Sequence, residues 1–315
     1  MARLCADRAK TAGTRGSPGK AVTRAAPDGR DRLSPAARRN AIGAGSIMPA
    51  WPCSPPGEKG FSPPPGLGYD FAVMITLYSY PTLFGVADNN GYGLKVFAFL
   101  RLVGLPFVHE HIFDASAAPR GQLPYIVDDG ETIGDSETIL AHLIGKNRLT
   151  IDAALGARER DLSLLVTRLL DDLYWVMSHS RWKDENYWPA FRAALMREHP
   201  SLTEEGLAKA REFNFQRYHF QGIGRYSPDA AYARGLADLG VLADLVPAGG
   251  YVHGAQPTSV DAGIYGFIAN IHFHDIDTPL RQFVSSRQNL VRHCKAIHEA
   301  VTRGEPNGGS SGAVR

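Results

Sequence analysis

The sequence predicts two consecutive folded units, a small α/β domain followed by an all-helical domain. Three observations carry this. Residues 74–148 run through β-rich and amphipathic stretches in the order β-α-β and then β-β-α. Beyond about residue 150 strand signals nearly vanish, and helical spacing recurs almost to residue 301. Residues 1–73 hold 10 of the 21 prolines and no apolar period. They cannot bury enough surface to offset the entropy of ordering, so 1–73 is expected to be a disordered Pro/Gly/Arg-rich segment. The domain boundaries follow: 74–148 for the α/β unit, 149–303 for the helical unit, and a Gly/Ser tail over 304–315. A chain begun at Met74 is expected to melt like the full one.

The elements can be justified in order. Ile75-Thr76-Leu77-Tyr78-Ser79-Tyr80 is β-rich and stops at Pro81. A Gly/Asn-rich loop runs from Gly85 to Gly93. Leu94, Val96, Phe97, Leu100 and Val103 then form a helical stripe that ends at Gly104 and Pro106. Phe107 to Phe113 reads as a second strand. Leu123 to Val127 reads as a third, and Asp129-Gly130 turns the chain into a fourth at Thr132-Ile133. Asp135-Ser136-Glu137 opens a helix through Ile144. In the second unit, Leu155 to Ser180 is one long helical stretch, with an aromatic cluster near its end at Trp182, Tyr187, Trp188 and Phe191. Further helical patterns lie at 204–220, 228–245, 259–271 and 278–301.

Composition excludes several function classes. No apolar run is long enough for a membrane-spanning helix. Cys5, Cys53 and Cys294 stand too far apart for a disulfide scaffold or a cysteine-built zinc site. The net charge of +2 conceals an asymmetry: residues 1–73 carry 11 basic and 5 acidic side chains, and the remainder 23 and 27. The folded part is therefore mildly acidic, which does not support a nucleic-acid footprint. Arg38-Arg39 lacks the apolar stretch of a twin-arginine signal, and Asp7, Asp28 and Asp31 argue against a transit peptide.

Two motifs carry candidate chemistry. In Gln122-Leu123-Pro124-Tyr125 a proline stands at a strand start. Taken alone it reads as a trans proline beginning an edge strand. A cis bond before it would instead free the Leu123 main chain to bind an extended peptide as an added strand does. Asp135-Ser136 stands at a helix start, where free N–H groups form a ready carboxylate site. Plain capping is the simpler reading. A third motif, Thr258-Ser259-Val260-Asp261, is a capping box with Asp in the usual Glu position, and it is structural.

In combination, Leu-Pro at a strand start, a hairpin, and Asp-Ser opening a helix resemble the thioredoxin-like half of a glutathione transferase. The helical half, with Thr258 and Asp261 at the start of an apolar helix, is similar to that family's second half. A closer resemblance is to the glutathione-transferase-like proteins grouped with metaxin and the failed-axon-connections protein. It is carried by Lys95-Val96, Leu100-Arg101, Gly104-Leu105-Pro106, Leu173-Tyr174-Trp175, Gly222-Ile223-Gly224-Arg225 and Asp277-Thr278-Pro279-Leu280-Arg281, over roughly residues 75–300.

The resemblance implies a thioredoxin-like domain plus an all-α helical bundle. It further implies that Pro124 is cis, that Leu123 binds the cysteinyl backbone of glutathione with Gln122 among the binding residues, and that Asp135 and Ser136 hold its γ-glutamyl end. The chain departs from the family at the thiol-activating position: where relatives place Ser or Cys, it has Asn90 and Gly93. Asn90 offers an amide N–H to the sulfur, and Tyr92 a nearby phenol. These two are the candidate catalytic residues. Tyr78 and Tyr80 share one face of the first strand, with Ser79 on the other.

Other residues receive plainer readings. His272, His274 and Asp275 fall at a helix end and are not taken as a metal site. Cys294 reads as a buried, inert thiol. The aromatic cluster at 174–188 packs between helices and lines part of a pocket where the domains meet. The expected function is glutathione binding, with conjugation or reduction of a small apolar electrophile. The rival is a non-catalytic binding or assembly module that has lost thiol activation. A cytoplasmic homodimer is expected.

Overall fold

The structure is a computed structural model that describes residues 75–303. The expectations for residues 1–73 and for the 304–315 tail therefore lie outside the described residues. A four-stranded sheet forms first, from β1 (Ile75–Ser79), β2 (Phe107–His111), β3 (Tyr125–Asp128) and β4 (Glu131–Gly134), in the order β2-β1-β3-β4. β1 runs parallel to β2 and antiparallel to β3, and β3 pairs with β4 across the Asp129-Gly130 turn. Helix α1 (Gly91–Leu102) makes the parallel crossover between β1 and β2, and α2 (Ser136–Asn147) follows β4. This is the predicted thioredoxin-like order.

Strand alternation sorts the two sheet faces. Ile75, Leu77, Ile126 and Ile133 point into the main core with Leu94, Val96 and Phe97 of α1 and Ile139, Leu140 and Leu143 of α2. Tyr78, Tyr125 and Val127 point the other way and are covered by Ala115, Ala118 and Leu123 from the loop before β3. Tyr78 stacks on Tyr125, ring centroids 4.6 Å apart.

The second half is helical: α3 (Ala157–Trp182), α4 (Trp188–Glu198), α5 (Glu204–Gln221), α6 (Pro228–Leu245), α7 (Ser259–His272), α8 (Pro279–Ser286) and α9 (Gln288–Thr302). Side-chain caps start several of these, with Thr203 accepting from Gly206 N, Ser227 from Ala230 N and Thr278 from Arg281 N. Two differences from the expected pattern stand out. The aromatic stretch after Trp182 contains a helix of its own, α4, with Pro189 in its first turn. The single pattern over 278–301 is two helices broken at Arg287, whose extended backbone interrupts the ladder.

Helix α7 is buried along nearly its whole length and, among the described residues, makes the most extensive helix–helix contact, with α1. Gly266 permits it: a Cβ there would strike the Gly91 carbonyl and the Lys95 backbone nitrogen. The base of α7 is fixed by Asp261, which is fully buried. Its carboxylate accepts from the backbone N–H and hydroxyl of Thr258, from Val252 N and from His293 Nε2. Burial opposes its charge, but these donors hold its pKa below the usual carboxylate range.

Candidate functional site: a groove between sheet and helices

The loop after β1 folds back so that Asn90 caps α1. Its side-chain oxygen accepts from Tyr92 N at 2.9 Å, and its own N–H donates to Asp88 Oδ1 at 2.6 Å. The cap fixes the amide orientation: the oxygen faces the helix, and the Nδ2 donor is turned away from it. On the other side of the sheet's end, the Leu123–Pro124 peptide bond is cis. Among the described residues, neither main-chain group of Leu123 takes part in a main-chain hydrogen bond.

The α2 start completes the α/β side. Asp135 caps the helix from a left-handed backbone (φ 76°), a region that L-residues rarely occupy and that costs about 1–3 kcal/mol. Its Oδ1 accepts from the N–H and hydroxyl of Thr138, and its Oδ2 pairs with Arg120 at 2.8 Å. That pair is solvent-exposed on the arginine side, a setting in which ion pairs contribute little and exchange readily. Ser136 is buried at the first turn. Behind it, Lys95 of α1 is almost fully buried and paired with Glu137. Burial pushes the Lys95 ammonium down to about 8, against the pull of Asp171 and Asp135.

These positions line one groove of about 850 Å3. Asn90, Tyr92, Gln122, Leu123, Pro124, Asp135 and Ser136 all border it, facing Asp171, Tyr174 and Trp175 of α3 and Phe213, Gln216 and Arg217 of α5. A smaller chamber of about 90 Å3 adjoins it, walled by apolar side chains such as Met177, Trp182, Leu195 and Leu207. Tyr80, Asn90, Tyr174 and Arg217 border both spaces. The aromatic residues expected to line a pocket between the halves, Tyr174, Trp175 and Trp182, do so. The α5 wall and Asp171 carried no sequence signal, because they fall in no motif and their role arises only from packing.

Three residues near the α1 start differ from a simple sequence reading. The Tyr92 hydroxyl donates to Asp171 at 3.1 Å across to the helical half, and burial raises its pKa well above the usual phenol range. Gly93 has no room for a side chain, because a Cβ there would collide with Asp88 Oδ2. Asp88 is fully buried with that oxygen unpartnered, and burial pushes its carboxyl up to about 7. Of the residues set aside earlier, His274 and Cys294 are packing groups. His274 sits against Phe84 and Phe191 with its pKa driven down to about 2 by burial, and the buried Cys294 thiol is pushed up to about 12.

A thioredoxin-like half with a cis Leu–Pro facing a helical half across such a groove defines the architecture of a glutathione S-transferase. Comparison with known proteins agrees. Residues 92–187 match the glutathione S-transferase N-terminal domain family, and residues 235–297 match the glutathione S-transferase C-terminal domain family. The chain belongs to the glutathione S-transferase superfamily.

Among curated proteins it is 29% identical to the isoprene-epoxide–glutathione S-transferase of a Rhodococcus species, over 72% of this chain and 98% of that one. It is 28% identical to failed axon connections of Drosophila melanogaster, over 72% of this chain and 57% of that longer protein. It is 25% identical to metaxin-3 of Xenopus laevis, over 72% of this chain and 76% of the other. Among solved structures, a glutathione S-transferase of Ceriporiopsis subvermispora in complex with glutathione shares the fold at 16% identity, with a TM-score of 0.51 over 75% of this chain and all of that one.

Proposed function

We propose that this protein binds glutathione in the groove and transfers its thiolate to a small apolar electrophile held in the adjoining chamber. The observation that carries the reading is convergence: seven positions chosen from the sequence border one cavity, at one end of which lies a buried serine on a helix N-terminus. A γ-glutamyl carboxylate would sit on the Ser136 hydroxyl and amide, where the helix dipole favours negative charge. The ligand ammonium would take the place of Arg120 on Asp135. Gln122 and the main chain of Leu123 would hold the cysteinyl unit as an added strand.

The sulfur would then lie beside Asn90. Its Nδ2–H donates to the thiolate and, with the α1 N-terminus, lowers the thiol pKa. Tyr92 serves this end indirectly, by holding the α3 wall through Asp171. Similarity to a transferase named for isoprene epoxide supports a small co-substrate. The same reading takes the protein as a cytoplasmic homodimer, with Leu164 and Leu165, exposed on α3, offering an apolar contact.

Calorimetric titration of the full chain with reduced glutathione tests the binding step. Saturable binding is expected, weakened about tenfold or more in Ser136→Ala through loss of a charge-assisted hydrogen bond. No heat at millimolar glutathione would remove the proposal. The rival reading is a binding or assembly module that has lost catalysis. It is favoured by the engaged Tyr92 hydroxyl and the absent side chain at Gly93, and glutathione binding without turnover of any electrophile would establish it.

A further inference from the structure

Arg217 stands where the groove and the chamber meet and borders both. It is held on every side, yet by neutral groups. One guanidinium nitrogen donates to Asn214 Oδ1 at 3.1 Å and the other to the Tyr174 hydroxyl at 3.5 Å. Its central carbon lies 5.1 Å from the Trp175 ring centroid and 5.8 Å from that of Phe213. The other two arginines of the groove are paired, Arg120 with Asp135 and Arg168 with Asp171. Among the described residues no carboxylate forms an ion pair with Arg217.

A guanidinium drawn from water among aromatic rings calls for an anion. Two of its five N–H donors are used, and the rest are left for a ligand. The glutathione thiolate has its own donors at Asn90. Arg217 enters from the opposite wall, on the side where the electrophile would sit. The fork of a guanidinium suits oxygen lone pairs better than it suits a diffuse halide.

We propose that Arg217 receives the negative charge that develops on the electrophile's oxygen when the thiolate opens a small epoxide. This rests on the reading that the thiolate lies at Asn90. The sulfur lone pair forms the C–S bond to a ring carbon as the C–O bond of that carbon breaks. The electron pair stays on oxygen as an alkoxide, which accepts hydrogen bonds from Arg217 and takes a proton from water. The product is a β-hydroxy thioether, with no leaving group and no change of oxidation state to balance elsewhere. The chamber, about 90 Å3, is much smaller than the groove, which favours a co-substrate of a few carbons.

The test compares 1,2-epoxybutane with 1-iodobutane, which have the same carbon chain, in glutathione conjugation by the full-length protein, its Arg217→Met variant and its Arg217→Lys variant. Glutathione affinity is measured alongside by calorimetry. Arg217→Met is expected to lose about 10²-fold or more in kcat with the epoxide, the loss typical of one oxyanion donor. Its rate with the iodide should fall far less, and its glutathione affinity should hold. Arg217→Lys should lie between wild type and Arg217→Met, and carries the comparison if the methionine variant does not fold.

Equal losses with both electrophiles would mean packing alone and would overturn the proposal, as would an unchanged epoxide rate. A wild type that conjugates the iodide and not the epoxide would overturn it while leaving glutathione transfer intact. A wild type that binds no glutathione would remove both.

Discussion

At the scale of single residues, the α1 start decides whether this is a transferase. On the proposed reading Asn90 has two jobs, because its oxygen caps the helix and the residue borders the groove. Asn90→Ala is expected to destabilise the protein by about 1 kcal/mol through the lost cap. It should also cut the transfer rate about 10- to 100-fold, the worth of a hydrogen bond to a charged acceptor. Tyr92→Phe should cost much less in rate, since its hydroxyl is already engaged with Asp171. Parallel assays with one electrophile check the order of the two effects.

Asp88 makes a second prediction. Its folded pKa of about 7 lies above the ordinary carboxylate value, so the folded state binds the proton more tightly than the unfolded chain does. The stability it contributes is fully present below about pH 4 and is lost as pH rises through about 7. Asp88→Asn keeps the acceptor for Asn90 N and cannot ionise. Its melting temperature should therefore fall less than that of wild type between pH 5 and 8. Parallel profiles for the two proteins would refute the assignment.

Among the elements, α1 is the seat of the groove, and its fit depends on a missing side chain. The carboxyl of Asp88 fills the space that a Cβ at position 93 would need. Gly93→Ala is thus expected to destabilise the fold by about 1–3 kcal/mol, as overpacking does. Combining it with Asp88→Gly should recover part of the loss, a coupling that a double-mutant cycle in urea would reveal. A glycine in the place of the relatives' Cys is therefore tied to the carboxyl that occupies its space. This coupling was invisible locally, because a glycine at the start of a helix reads as a simple loss of side chain.

Element boundaries were legible where local chemistry marks them. Asp129-Gly130 gave the β3–β4 turn, and Gly104 with Pro106 gave the end of α1. The α8–α9 break at Arg287 has no glycine or proline to announce it. Helix α4 has a start signal in Pro189 of its first turn, but its aromatic residues read equally well as packing groups.

For the molecule as a whole, the described α/β and helical halves share one core, which runs from Leu77 and Ile126 through α1 to α7 and α3. Arg181 ties them together. It is buried on α3 and donates to the carbonyls of Asn89 at 2.6 Å and Asn270 at 2.5 Å, one from each half. The two halves are expected to unfold together. Far-UV circular dichroism and the fluorescence of Trp175, Trp182 and Trp188, all in the helical half, should give coincident transitions. Arg181→Met strands two carbonyls at about 1–3 kcal/mol each and should lower the midpoint without splitting the transition. Separate transitions in the two probes would show that the halves fold apart.

Repeating patterns and local chemistry in the sequence determine the two-part architecture. Period-two and period-3.6 spacing, turn residues and caps act over a few neighbours and are written in consecutive positions. They defined a small α/β half and a helical half, and the resemblance to glutathione transferases supplied the seven positions on the α/β side of the groove. The opposite wall was decided by folding alone. Arg217 borders the same groove as Asn90, and Asp171 meets Tyr92, only because α3 and α5 pack across from α1. Such pairings join residues about 80 to 130 positions apart, and the free energy that selects them comes from burying whole helix faces, which no short stretch of sequence records.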